Sequence, residues 1–231
     1  MTHVTETQDQ ILEAFTMKDY ADLHTHTIAS GHAYGTITEM VHAAALKKLP
    51  ILGITEHAPS MPGSCGEMQF CNFRPILEGV RLLFGCELNI VDYKGTIDLS
   101  ERMLKRLSYT IASLHDLCLK PGTKEENTFA VVTALKNPYV TILGHPDDGK
   151  FPLDYKTVVQ AAKENHRLIE LNNTSLTPGS SRIHANENDR ILLPLCAEYQ
   201  VPVIMNSDAH FTTAVGDHAR AEALLKELHF P

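Results

Sequence analysis

The residues best able to do chemistry in this chain are its histidines, which number 13 in 231 residues against 8 Phe and 7 Tyr. His24 and His26 stand one residue apart in Asp22-Leu23-His24-Thr25-His26, directly after a strand-like run. Side chains on a strand alternate between faces, so both imidazoles would point the same way, with Asp22 beside them. Two imidazoles on one face form a claw for a divalent cation. His32 follows six residues after His26, past Ser30-Gly31, where the chain can turn and aim it elsewhere.

Further polar residues recur at the ends of short apolar runs: Glu56-His57, Glu87, His115, His145, Glu170 with Asn172 and Asn173, and Asn206-Ser207-Asp208-Ala209-His210. Asp208 and His210 repeat the same-face spacing of His24 and His26. If these ends converge, seven histidines face Glu87 and Asp208. Without metal such a cluster would cost roughly several kcal/mol in desolvation and repulsion.

The elements that must position these groups alternate. Seven strand-like runs are read at Tyr20–Leu23, Ile51–Thr55, Leu83–Cys86, Tyr109–Leu114, Val140–Gly144, Leu168–Leu171 and Val203–Met205. Helical spacing is read over Thr38–Lys48, Lys156–Asn165, Asn188–Tyr199 and Ala219–Leu228, with an opening helix over residues 5–19 and a short hairpin around Asp92-Tyr93-Lys94-Gly95. Strand–helix alternation predicts a parallel sheet flanked by helices. Seven repeats without a Gly-x-Gly-x-x-Gly favour a closed β/α barrel over a dinucleotide-binding sheet, with the site at the C-terminal strand ends. No linker-like run divides the chain, so 1–231 reads as one domain with residues 1–19 as a helical extension.

Composition narrows the function classes. A net charge of −8 disfavours a long nucleic acid as partner. No apolar run reaches membrane-span length, and the N-terminus has no secretory pattern. Cys65, Cys71, Cys86, Cys118 and Cys196 are odd in number and lack Cys-x-x-Cys, which argues against a disulfide framework or zinc ribbon and for reduced thiols in a cytoplasmic protein. A homo-oligomer is left open.

Asp22-Leu23-His24-Thr25-His26, Thr55-Glu56-His57, Gly85-Cys86-Glu87, Ser113-Leu114-His115, Gly144-His145-Pro146 and Ser207-Asp208-Ala209-His210 together resemble the successive motifs of the PHP (polymerase and histidinol phosphatase) domain, over about residues 20–228. The chain looks most like the small stand-alone phosphatases of that superfamily. The resemblance implies a distorted seven-stranded TIM-like barrel and a metal-dependent phosphoesterase acting on a small phosphomonoester. It also implies three divalent ions, with Zn²⁺ the first candidate and Mn²⁺ or Fe the others. Carried over by motif, His24, His26, Glu87 and Asp208 would hold one ion. Glu87, His115 and His145 would hold a second, and His32, His57 and His210 a third. Glu87 and Asp208 would be the catalytic carboxylates, with a metal-bridging water as nucleophile. Family members often carry Asp where this chain has Glu56, a change expected to be tolerated, and often continue into a further helix beyond Phe230-Pro231.

Arg182 and, less strongly, Arg74 are candidate phosphate ligands, because an arginine fork matches phosphate geometry. The stretch from Ala58 to Phe73 is a candidate lid. His3, His42, His166, His184, His218 and His229 are read as surface or structural. The rival readings are another metal hydrolase of the amidohydrolase type and a non-catalytic, metal-stabilised accessory domain. The acidic bridge Glu87 and the filled ligand positions weigh against both.

Overall fold

A computed structural model describes residues 21–71 and 76–231. The opening helix expected over 5–19 and Arg74 lie outside the described residues.

Nine strands are described rather than seven: β1 (Ala21–Asp22), β2 (Ile51–Ile54), β3 (Ile76–Leu77), β4 (Val80–Phe84), β5 (Glu87–Asn89), β6 (Ile111–Ser113), β7 (Ile142–Leu143), β8 (Leu168–Asn172) and β9 (Val203–Asn206). They form a four-stranded sheet in the order β1-β2-β4-β3 and a five-stranded sheet in the order β5-β6-β7-β8-β9. Every pairing is parallel except the β3–β4 hairpin. Parallel strands covered on both faces read as continuous apolar runs, which is why β8 is buried along its whole length.

The fold is thus α/β with parallel sheets, but no closed barrel forms among the described residues. The run expected as one strand, Leu83–Cys86, is divided: β4 ends at Phe84 in the first sheet, and the chain re-enters as β5 at Glu87 in the second. The two sheets meet through single parallel bridges, Thr25 with Ala209 and His57 with Glu87. Both bridges lie at site residues, so the seams between the sheets are where the polar residues gather.

The sheets share an apolar plug. Leu23, Leu83, Ile111, Ile142, Leu168 and Ile204 pack together with Tyr109. Above it the two-residue repeat sets columns in which each plug residue is followed by polar ones on the same face: Ile111, Ser113 and His115; Leu168, Glu170 and Asn172; Ile204, Asn206 and Asp208. Apolar residues fill the floor and chemistry stands on top.

Helices cover the outside: α1 (Ile37–Leu46), α2 (Glu101–Leu104), α3 (Lys124–Leu135), α4 (Tyr155–Glu164), α5 (Ala185–Tyr199) and α6 (Ala219–Glu227). α1 starts with a capping box between Thr36 and Glu39, and α3 with one between Thr123 and Glu126. Helix α3 has no clear apolar spacing in the sequence, because its buried face includes Asn127 and Thr128 while Phe129 is exposed. The short hairpin expected around residues 92–95 is present as a single antiparallel bridge, Ile90 with Ile97, its turn held by the Asp92 carboxylate. No helix among the described residues is long and apolar enough to cross a membrane.

Gly53 shows how tightly the floor is packed. A Cβ there would lie 2.0 Å from the Tyr109 hydroxyl and 2.8 Å from Leu23 Cα. That hydroxyl donates to the Leu23 carbonyl at 2.6 Å, one residue before His24. Gly53→Ala is expected to destabilise the fold by about 2 kcal/mol or more through overpacking. Adding Tyr109→Phe, which vacates the space, should recover part of that loss in a urea-denaturation double-mutant cycle. Additive losses would contradict this packing.

Candidate metal centre

The Glu87 side chain, 1% exposed, stands at the middle of the cluster. Its Oε2 lies 3.2 Å from His24 Nε2, 3.3 Å from His26 Nε2 and 2.8 Å from His57 Nδ1. Its Oε1 lies 3.2 Å from His115 Nε2 and 2.8 Å from His145 Nε2. Asp208 Oδ1 stands 3.6 Å from His24 Nε2 and 3.3 Å from His26 Nε2. The outer rings complete the group: His210 is 4.4 Å from His26 and 4.8 Å from His32, and His32 is 4.9 Å from His57, between centroids. The sequence-derived set therefore comes together around Glu87, with His32 the most solvent-exposed of its histidines.

The hydrogen bonds behind the rings decide which nitrogen faces inward. His24 Nδ1–H donates to Glu170 Oε1 at 2.7 Å, which turns Nε2 inward. Ser30 gives its only hydroxyl hydrogen to Glu56 at 2.6 Å, so its oxygen accepts from His26 Nδ1–H at 3.0 Å and from the His57 backbone N–H at 3.1 Å. His115 Nδ1–H donates to Asn89 Oδ1, whose amide is fixed because its Nδ2 donates to the Ala58 carbonyl and to Asp98. His210 Nδ1–H donates to the Asp208 carbonyl. Four imidazoles thus engage Nδ1 outward and turn Nε2 inward, the nitrogen through which a neutral ring ligates a metal.

Lone pairs facing carboxylate oxygens repel unless a cation lies between them. His24 Nε2, His26 Nε2, both nitrogens of His57, Glu87 Oε2 and Asp208 Oδ1 are buried polar atoms without hydrogen-bond partners. Two ligands of one tetrahedral ion, each about 2.0–2.1 Å from it, stand about 3.3 Å apart. The separations among His24, His26, Glu87 and Asp208 fall at that spacing. Among the described residues, three sets of side chains converge closely enough to hold ions: His24, His26 and Glu87; His57, Glu87 and His115; and His26, His57 and His210. In the last of these His26 stands where the resemblance puts His32. The residues fit divalent cations.

The electrostatics agree. Complete burial alone would raise the Glu87 pKa, but His24, His57 and His115 hold it well below the carboxylate range. Burial would likewise lower His24, yet the carboxylates of Glu170, Glu87 and Asp208 pull it well above its ordinary value, so that position demands a positive charge. Burial, reinforced by His26, pushes His210 down to about 4 and keeps it neutral for ligation.

Supporting residues fix this geometry. Glu170, fully buried, accepts from His24, the His145 backbone N–H, Asn172 and Asn206. In the sequence it is the one acid in the apolar run Leu168–Leu171, a signal for a buried positioning carboxylate. Glu56 ties Thr27 and Ser30 together, so the longer side chain is accommodated. Asp22, expected beside His24 and His26, instead accepts from Ser207 and Gly216 and so anchors the segment leading to Asp208. Asn172 donates to Asp208, while Asn173 accepts from the first N–H groups of α6. Arg182 donates to Asp208 Oδ2 at 2.8 Å and, more weakly, to Asn172 and Ser175, so its fork is turned inward onto a carboxylate. Of the candidate lid, residues up to Phe70 fold back over the site loop: Ser64 donates to the His57 carbonyl and the Cys65 N–H to the Ala29 carbonyl.

The family model of the PHP domain matches residues 22–177. The chain belongs to the PHP domain family. Relatives named "Probable phosphatase" include one from Clostridium botulinum (strain Langeland), 44% identical over 93% of this chain and 88% of its own length. Another, from Acetivibrio thermocellus, is 44% identical over 93% and 89%. The protein is a phosphatase of this family. The fold is also that of histidinol phosphate phosphatase from Lactococcus lactis, solved with zinc, L-histidinol and phosphate; the TM-score is 0.60 at 14% identity, covering 92% of this chain and 95% of that one.

Glu170→Gln keeps the shape but weakens the acceptor that orients His24 and the His145 backbone. It is expected to lower divalent-metal affinity by about 10- to 100-fold with the fold retained. Competition against a chromophoric chelator measures this; wild-type affinity would contradict the positioning role.

Proposed function

We propose that this chain hydrolyses a small phosphomonoester at a centre of three divalent ions, with zinc the first candidate and manganese or iron the others. The observation that carries the reading is a ring of buried imidazole nitrogens aimed at Glu87 Oε2 and Asp208 Oδ1, two buried carboxylate oxygens without a hydrogen-bond donor. In this reading His24, His26, Glu87 and Asp208 hold one ion, and Glu87 is shared with a second ion held by His115 and His145. His57 and His210, with His26 or His32, hold the third. Ions bound there would make water a nucleophile near neutral pH and offset charge on the phosphoryl oxygens.

The chain's own groups do the rest. Glu87 and Asp208 set the number of negative charges at the centre, leaving it net positive and attractive to a phosphate dianion within an acidic protein. Asn172 and Arg182 hold Asp208 Oδ2, which leaves Oδ1 facing inward. Arg182 therefore supports a ligand in this account rather than gripping phosphate directly. The neutral His210, its side chain 23% exposed at the mouth, marks the side from which substrate enters. Zinc, L-histidinol and phosphate in the Lactococcus enzyme accord with a small phosphorylated substrate here.

Two outcomes are expected. Chelator treatment should abolish p-nitrophenyl phosphate turnover, and readdition of a divalent metal should restore it. Asp208→Asn should lower kcat by about 100-fold or more, with the melting temperature of the metal-free protein little changed. Full activity of that variant, or turnover that survives exhaustive chelation, would refute the reading.

A further inference from the structure

Large exposed apolar side chains crowd the mouth of the centre. Ile28 (58% exposed), Tyr34 (69%), Leu117 (68%) and Phe211 (53%) each lie within two residues of His26, His32, His115 or His210. Tyr34 and Phe211 form a parallel stack, 4.5 Å between ring centroids and 15° between planes. The stack is anchored to the site, because Phe211 follows His210 and the Tyr34 N–H donates to the His210 carbonyl at 2.9 Å. Two aromatic faces held together in water and joined to a catalytic centre mark a binding surface.

Three cations near these segments are already engaged. Arg182 is on Asp208, Lys150 on Asp116, and Lys47 on the carbonyls of Thr213 and Val215. Among the described residues, those three are thus committed rather than offered to a second anionic group of a substrate. What the mouth offers beyond the centre is an apolar, π-faced surface.

We propose that Tyr34 and Phe211 bind an uncharged planar aromatic group on the leaving alcohol of the phosphomonoester, and so set substrate preference. This rests on the phosphatase reading above. A ring laid against the stack gains both area burial and the offset-stacking interaction. Aliphatic esters gain only the part of the burial that a shorter, non-planar chain can reach.

The test compares metal-loaded wild type with the Tyr34→Ala, Phe211→Ala double variant on 2-phenylethyl phosphate and n-butyl phosphate, whose leaving alcohols are similarly acidic. Wild type should favour the phenylethyl ester by about tenfold in kcat/KM, mostly through KM, and the ratio should fall toward unity in the variant. A residue needed only for structure would lower both esters together and leave the ratio intact. An unchanged ratio, or a wild-type ratio near unity, overturns the proposal. If wild type turns over neither ester, the phosphatase reading fails, and calorimetric binding of 2-phenylethylphosphonate against n-butylphosphonate decides the aromatic subsite separately. A phenyl preference that the double variant loses sustains the subsite; equal binding overturns it.

Discussion

A carboxylate placed out of contact with water, among five imidazoles, is costly unless something returns the lost solvation. Glu87 is in that position, and both of its oxygens are engaged by histidine nitrogens drawn from both sheets. The rest of the structure depends on this arrangement. The seams between the sheets fall at Glu87 with His57 and at Ala209 with Thr25, so single backbone bridges coincide with the cluster of ionisable groups. A cation at the centre would then tie the two sheets together as well as hold substrate.

Holding such a centre open takes order outside it. For three of the rings the inward nitrogen is set by what the other nitrogen touches: Glu170 behind His24, Ser30 and Glu56 behind His26, Asn89 behind His115. The backbone also bends to the task. Asp208 and His145 carry φ values of 54° and 26°, in the left-handed region that side chains other than glycine seldom occupy. For Asp208 the surroundings hold the conformation, with Asp22 gripping Ser207 and Asn172 and Arg182 gripping the carboxylate. Gly31, at φ 83°, lets the chain turn sharply ahead of His32; a Cβ there would meet the Gly63 carbonyl at 2.2 Å. That turn is what aims His32 away from the His24 and His26 claw.

The candidate ligands were legible because a histidine or carboxylate at the end of an apolar run is a local signal, repeated at successive strands. Their grouping depends on ring placement across loops, where both His26 and His32 stand beside His57 and His210. Arg182 shows the same limit: its type suggested a phosphate clamp, and only tertiary structure turns its fork onto Asp208. The division of one apolar run into β4 and β5 left no mark, because Gly85-Cys86 reads as a continuation of the strand. Helix α3 did leave one, in the Thr123–Glu126 capping box, but its buried polar residues hid the periodicity. Glu170 was visible as a lone acid in a buried strand, and its several donors supply the reason it is tolerated there.

The shared role of Glu87 can be measured directly. Metal content per chain, determined by inductively coupled plasma mass spectrometry after saturation and removal of free ions, should be about three for wild type. Glu87→Gln, which removes one charge while keeping the side-chain shape, should lose at least two of those ions while remaining folded by circular dichroism. A Glu87→Gln protein that retains the wild-type metal content would contradict the account.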